Sequence, residues 1–157
     1  MSEPGPVFRT ATPEDVPRIV ALLAADPLGV QREDPGPPLP HAYVDAFHAI
    51  DSDPNQDLVV GTLDGVVVGV LQLTFIPSLT YRGSWRAQIE GVRVDEAMRS
   101  RGLGRKLVEF AIDRAAERGC RLVQLTTDKR RPAAVSFYEG LGFVPSHEGM
   151  KLNLTPR

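Results

Sequence analysis

Residues 88–110, QIEGVRVDEAMRSRGLGRKLVEF, constrain this chain most, because they read as a strand, a basic glycine-bearing turn and an amphipathic helix in direct succession. The strand portion, 88–94, is rich in β-branched residues and closes on Asp95 and Glu96, which suit a turn. Ile89, Val92 and Val94 break strict alternation, so burial on both faces or a bulge is expected. Leu103, Leu107, Phe110, Ala111 and Ala115 then recur at spacings of three and four, with Val108 and Ile112 widening the stripe and Gly119 placed to stop the helix. Between strand and helix, Arg99, Arg101, Arg105 and Lys106 set four cations around Gly102 and Gly104. The first NH groups of a helix lack acceptors and carry partial positive charge, so such a turn suits phosphate oxygens. A merely solvated basic helix start is the alternative, but cations there are locally unfavourable unless an anion compensates.

A second pattern follows at 131–143: Pro132 at a helix start, apolar Ala134, Phe137 and Leu141, then Gly142 and Phe143. With the first, it resembles the GCN5-related N-acetyltransferase (GNAT) superfamily. Arg99, Gly102 and Gly104 match that family's turn of Gln or Arg, two residues, Gly, one residue, Gly or Ala, and Phe137-Tyr138 with Gly142-Phe143 matches its later helix. Arg131 stands where the family often has asparagine.

The resemblance implies an α/β (mixed α+β) fold whose central twisted mixed sheet is splayed between the fourth and fifth strands, 88–94 and 121–126, and flanked by helices. It implies an acetyl-CoA-dependent N-acetyltransferase, with acetyl-CoA as cosubstrate, its pyrophosphate on Arg99, Ser100, Arg101, Gly102, Leu103, Gly104 and Arg105, and its arm along Val92, Arg93 and Val94. A backbone NH of Val92 or a neighbour would hold the developing oxyanion. Tyr138 would be the acid near the coenzyme sulfur, although it also fits an aromatic core beside Phe137. Glu90, in a partly buried cleft, would be the base directly or through water, although it also fits a solvated or ion-paired strand residue. The acceptor would be the primary amine of a small molecule or peptide, with a non-catalytic acyl-CoA sensor or interaction domain as the competing class.

Elsewhere the chain supplies a frame. Residues 1–6 are polar and proline-bearing and are expected to be disordered, and 7–10 can form a short edge strand. Thr12-Pro13-Glu14-Asp15 has the form of a helix start, with Val16, Ile19, Val20 and Leu23 as its buried stripe. Five prolines in 26–40 make that stretch a loop, a lid on the substrate side or an unstructured connection. A second helix is expected at 41–50, with Tyr43, Val44, Phe47 and Ile50 inward. Strands at 58–63 and 66–75 flank the hairpin signal Asp64-Gly65, and Gly61 and Gly69 mark bulges or close contacts. Tyr81 and Trp85, in a loop at 77–86, either seal the sheet end or line an acceptor pocket. A strand at 121–126 should run parallel to 88–94, and a last strand at 143–154 could pair across a homodimer.

With 157 residues, 42% of them hydrophobic, the chain is expected to form a single domain spanning 1–157. A formal net charge of -2 argues against a surface built for nucleic acid. Cys120 is the only cysteine, which excludes an intrachain disulfide and fits a cytoplasmic protein; it reads as a small core residue. His41, His48 and His147 lack metal-ligand spacing, so no metal is expected. No apolar run approaches the roughly 20 residues that span a bilayer, so no membrane partner is expected either.

Overall fold

The apolar strand-like runs between Val7 and Gln124 resolve into a five-stranded mixed sheet ordered β1-β2-β3-β4-β5. The strands are β1 (Val7–Thr10), β2 (Gln56–Leu63), β3 (Val66–Ile76), β4 (Arg86–Val94) and β5 (Leu122–Gln124). The first three pairings are antiparallel and β4 to β5 is parallel. The computed structural model describes residues 3–155; of the segment expected to be disordered, residues 1–2 lie outside the described residues and 3–6 carry no regular element. Residues up to Gln124 form one compact unit and those from Leu125 a second.

In the first unit the sheet is covered on both faces, which is why β2 and β3 read as nearly continuous apolar runs. On one face Val60, Val67 and Val70 pack with α1 (Val16–Ala24) and with Phe47 of α3 (His41–Asp51). On the other face lies α5 (Leu103–Glu117). A Cβ on Gly69 would stand 3.4 Å from Leu107, and one on Gly61 would stand 3.0 Å from the Phe8 ring, so both glycines mark close approach. Gly61 also borders a register shift in the β2–β3 ladder. Leu107, Val108 and Ala111 are fully buried, while Phe110 and Ile112 are half-buried at the margin of the stripe. Past the end of α5 the NH of Cys120 returns to the Ala115 carbonyl and that of Gly119 to Ala116, each at 3.0 Å, which closes the helix as expected.

Entry to α1 is a 3₁₀ turn, Pro13–Asp15. Asp15 accepts from the NH of Thr12 at 2.8 Å and from two Arg9 nitrogens at 2.6 and 3.0 Å. The Arg9 guanidinium holds the Asp15 carboxyl below its ordinary range, against the opposing effect of burial. In α1 the buried leucine is Leu22, not Leu23, which is half-buried against the core's margin.

The proline-rich stretch is not wholly a loop: α2 (Gly29–Arg32) is a single turn within it. Its prolines fall at 27 and from 35 onward, so the residues between keep their NH donors. α3 buries the residues expected of it, Phe47 fully and Tyr43, Val44 and Ile50 in part. Between β3 and β4, α4 (Thr80–Gly83) is one turn whose inner residues, Tyr81 and Arg82, are left-handed.

The expected splay takes a definite form. β4 and β5 share three rungs, from Arg86 opposite Leu122 to Gln88 opposite Gln124, and the last is bridged by the two glutamine side chains at 2.8 Å. β4 then continues to Val94 with no β5 partner, and β5 is shorter than the 121–126 read from sequence.

In the second unit α6 (Pro132–Glu139) forms as expected and is followed by Gly142. The strand expected at 143–154 is absent: those residues carry no helix or strand. Pro145 cannot donate to a ladder and Gly149 weakens extended pairing, so the apolar alternation of Met150, Leu152 and Leu154 is left exposed. The edge on which a dimer could be built is therefore not formed here.

Two stability outcomes are expected. Leu107→Ala should lower the unfolding free energy by about 2–5 kcal/mol in denaturant titration, because it opens a cavity between α5 and the sheet. Asp15 has a depressed folded-state pKa, so its contribution is present above its ordinary value and is lost as pH falls. Asp15→Asn should therefore flatten the stability loss between neutral pH and about pH 3.

Candidate functional site

The site is built on β4 and the turn that follows it. Between Val70 opposite Arg93 and Gln72 opposite Glu90, β4 takes one more step than β3, so Gly91 and Val92 form a bulge. Gly91 carries the required φ of 62°, a region a side chain rarely tolerates. The missing alternation at Ile89, Val92 and Val94 thus has its cause in the bulge. Val92 and Val94 are half-buried along the stretch that β5 leaves uncovered.

After β4 the turn is pinned before it reaches the helix. The NH of Asp95 donates to the Val68 carbonyl at 2.7 Å. The Asp95 carboxylate accepts from Ala97 N at 3.0 Å and pairs with Arg18 of α1, whose Nε donates to the Val67 carbonyl at 3.0 Å. The bond from Ala97, followed by that from Arg18, holds this carboxyl below its ordinary range. The chain passes through a 3₁₀ turn, Glu96–Met98, then Ser100 at φ 65° and Gly102 at φ 74°. Gly102 is the N-cap of α5 and offers no side-chain acceptor, and the first bond inside the helix is Lys106 N to Gly102 O at 3.1 Å. The amides of Leu103 and Gly104 precede that bond, so this helix start keeps its capacity for an anion.

The cations around it are exposed and loosely engaged. Arg105 Nε donates to Glu109 at 2.9 Å, and Arg101 stands 3.7 Å from Glu3. Exposed pairs of this kind are worth about 0–1 kcal/mol, so an incoming phosphate can displace them. In a separate run of cations, Lys129, Arg130 and Arg131, Arg130 forks onto Asp128 at 2.7 and 3.0 Å and holds that carboxyl far below its ordinary range.

Glu90 lies two residues before the bulge valine and is exposed, so the partial burial expected to tune it is absent. Tyr138 belongs to α6 in the second unit, half-buried and edge-on to Phe137 and Phe143 at 5.0 and 5.7 Å. Cys120 is half-buried and burial pushes its thiol up, partly offset by Arg118, which keeps it protonated at neutral pH and unsuited to nucleophilic attack.

Tyr81 and Trp85 are both exposed beside the start of β4. The Arg121 guanidinium lies 4.7 Å over the Tyr81 ring, the backbone NH of Arg121 donates to the Trp85 carbonyl at 2.8 Å, and the space these residues line is only about 10 Å³. A larger cleft of about 190 Å³, lined by Thr10, Phe47, Asp57, Phe75, Arg114 and Arg118, sits at the far end of α5. Fifteen residues of helix put it on the order of 20 Å from the turn, so it is separate from the site. Among the described residues no group of three or more His, Cys, Asp or Glu could hold a metal, and no helix is long and apolar enough to cross a membrane.

Sequence reading missed one pair. Asp26 follows α1 and is 7% exposed; its Oδ1 accepts from Gly29 N at 2.6 Å and its Oδ2 stands 3.7 Å from Arg93 Nε. Arg93 Nη1 in turn donates to the Val92 carbonyl at 2.7 Å. The local signal was an aspartate three residues before a glycine. Its partner 67 residues away left no trace in any local pattern.

Residues 25–143 match the model of the acetyltransferase (GNAT) family. The chain is 30% identical over 143 residues to aminoalkylphosphonate N-acetyltransferase of Salmonella typhimurium, covering 89% of this chain and 86% of that one. It is 33% identical over 90 residues to glucosamine 6-phosphate N-acetyltransferase of Trypanosoma brucei brucei, covering 57% and 59%. A crystal structure of a transcriptional regulator from Bacillus halodurans C-125 superposes with a TM-score of 0.93 at 53% identity, over 95% of this chain and 99% of that one. With its five-stranded mixed sheet, its bulged fourth strand and its glycine-capped helix, this chain belongs to the GNAT acetyltransferase family.

Proposed function

We propose that both units serve one N-acetyltransferase domain that transfers the acetyl group of acetyl-CoA directly to a primary amine, with no covalent enzyme intermediate. The observation that carries this reading is the α5 N-terminus, capped by Gly102 without a side-chain acceptor and preceded by a turn fixed through Asp95. A diphosphate has the charge and the oxygens to take those amides, and Arg99, Arg101 and Arg105 are exposed nearby in sequence to add forked donors. The uncovered stretch of β4 leaves Val92, Arg93 and Val94 as a backbone edge for the amide-bearing arm of the coenzyme.

Acetyl-CoA supplies an activated acyl group on a thiol leaving group. The chain must hold its carbonyl, stabilise the negative charge that grows on its oxygen, and return a proton to the departing sulfur. We assign the charge to the NH of Val92 in the bulge and the proton to the Tyr138 hydroxyl. A phenol's ordinary pKa, about 10, lets it protonate a thiolate of comparable basicity. Glu90, being solvated, would act through water, drawing the proton from an amine that must arrive neutral.

A small-molecule amine is the favoured acceptor. Support comes from the aminoalkylphosphonate and glucosamine 6-phosphate N-acetyltransferases, whose names specify small amines. A second reading, a non-catalytic acyl-CoA sensor, is favoured by the 53% identical chain described as a transcriptional regulator. It shares the cofactor site and differs in lacking transfer.

Three outcomes test the proposal. Acetyl-CoA at about 100 times its dissociation constant should raise the unfolding free energy by roughly 2.7 kcal/mol, whereas stabilisation by DNA that weakens with salt would point to a nucleic-acid module. Changing both Gly102 and Gly104 to valine should abolish that stabilisation, and retained affinity in calorimetry would remove the phosphate turn. Tyr138→Phe should lower kcat by on the order of tenfold to a hundredfold at unchanged acetyl-CoA affinity; an unchanged kcat in a coenzyme A release assay across small amines removes it as the acid.

A further inference from the structure

We propose that Asp26 is a positioning residue for the β4 bulge, acting through Arg93 on the peptide that follows Val92. This rests on the acetyl-transfer reading, in which the Val92 amide receives the developing oxyanion.

Asp26 is buried and engaged on both oxygens, with Gly29 N at 2.6 Å on one and Arg93 Nε at 3.7 Å from the other. Val30 N also donates to the Asp26 carbonyl at 2.9 Å, so the residue is fixed in its main chain as well. The turn cannot slide: a Cβ on Gly29 would meet the Leu23 carbonyl oxygen at 1.9 Å, which packs this segment hard against the end of α1. Arg93 has little freedom either, since its side chain is 18% exposed and its Nη1 donates to the Val92 carbonyl at 2.7 Å.

A guanidinium is a rigid planar fork. Paired as an ion with the Asp26 carboxylate 3.7 Å from Nε, and bonded through Nη1 to the Val92 carbonyl, it couples the charge of Asp26 to the carbonyl on the C-terminal side of Val92. The bulge removes a regular ladder constraint at this point, between Val70 opposite Arg93 and Gln72 opposite Glu90, and Gly91 adds backbone freedom on the other side. The Arg93 fork supplies a constraint that the ladder does not. Burial lowers the local dielectric and strengthens it. Asp26 thereby couples the segment after α1 to the strand bearing the oxyanion donor, and neutralising it should cost catalysis more than cofactor binding, because the phosphate turn, which begins beyond Asp95, is left in place.

The test uses the full chain and acetyl-CoA labelled with carbon-13 at the acetyl carbonyl. Asp26→Asn keeps an acceptor for Gly29 N and removes the charge facing Arg93. Arg93→Lys keeps a charge and removes the fork, and carries the test alone if the first variant does not fold. In the wild type the bound carbonyl stretch should lie below that of free acetyl-CoA. In each variant it should move back toward the free value, with kcat lower by on the order of tenfold to a hundredfold and a smaller loss of acetyl-CoA affinity, because Val92, Arg93 and Val94 also border the coenzyme arm. A carbonyl band and kcat equal to wild type in both variants overturn the positioning role. A wild-type band equal to that of free acetyl-CoA instead removes Val92 as the donor, and the role of Asp26 falls with it. If no amine is accepted, the band alone decides the positioning claim.

Discussion

A helix whose first amides meet no capping side chain is the constraint from which the rest of this structure follows. Gly102 is the N-cap of α5, in a left-handed conformation that glycine adopts without strain, and it leaves Leu103 and Gly104 ahead of the first intrahelical bond. Most helices satisfy those groups with serine, threonine, aspartate or asparagine. Here the sequence puts cations around the cap, which would repel rather than complete it unless an anion arrives. The turn is nevertheless well fixed, because Asp95 ties it to Arg18 of α1 and to Val68 of β3. A rigid turn ending in unfilled donors is ready for an anion without reorganising.

β4 is the strand through which this turn and the sheet communicate. It shares only three rungs with β5, so its second half is open on one side, and it is bulged against β3 on the other. Two departures from regular pairing on one strand weaken it, and compensation is visible around it. α5 covers one face of the sheet with Leu107 and Val108, α1 and α3 cover the other, and the Arg93 and Arg18 side chains reach carbonyls at Val92 and Val67. The family relationship and the open, bulged strand converge on an acetyl-transfer chemistry. On the proposed reading the amine would be chosen by loop residues, which have no comparable regularity.

Much of this was legible in sequence because it depends on local rules. The spacing of Leu103, Leu107 and Ala111 gave α5, Asp64-Gly65 gave the β2–β3 hairpin, and broken alternation at Ile89, Val92 and Val94 left burial on both faces or a bulge, of which the bulge is found. The failures are those where tertiary context decides. Residues 143–154 alternate well enough to read as a strand, but extended chain needs a ladder partner, and Pro145 and Gly149 work against one. Glu90 follows the buried Ile89 on β4, yet its own side chain is exposed, which a carboxylate on a partly buried strand does not announce in sequence. The Asp26 to Arg93 pair is invisible in one dimension, since neither residue belongs to a motif and the contact forms only when the segment after α1 folds against β4.

The most direct measurement of the central claim is the backbone amide spectrum of nitrogen-15-labelled protein, recorded as coenzyme A is added. The account predicts that the Leu103 and Gly104 amide protons move downfield, as groups newly donating to phosphate, with larger shifts than the amides in the middle of α5. Coenzyme A that binds while leaving those two amides unmoved would contradict it, because the diphosphate would then lie somewhere other than the start of the helix.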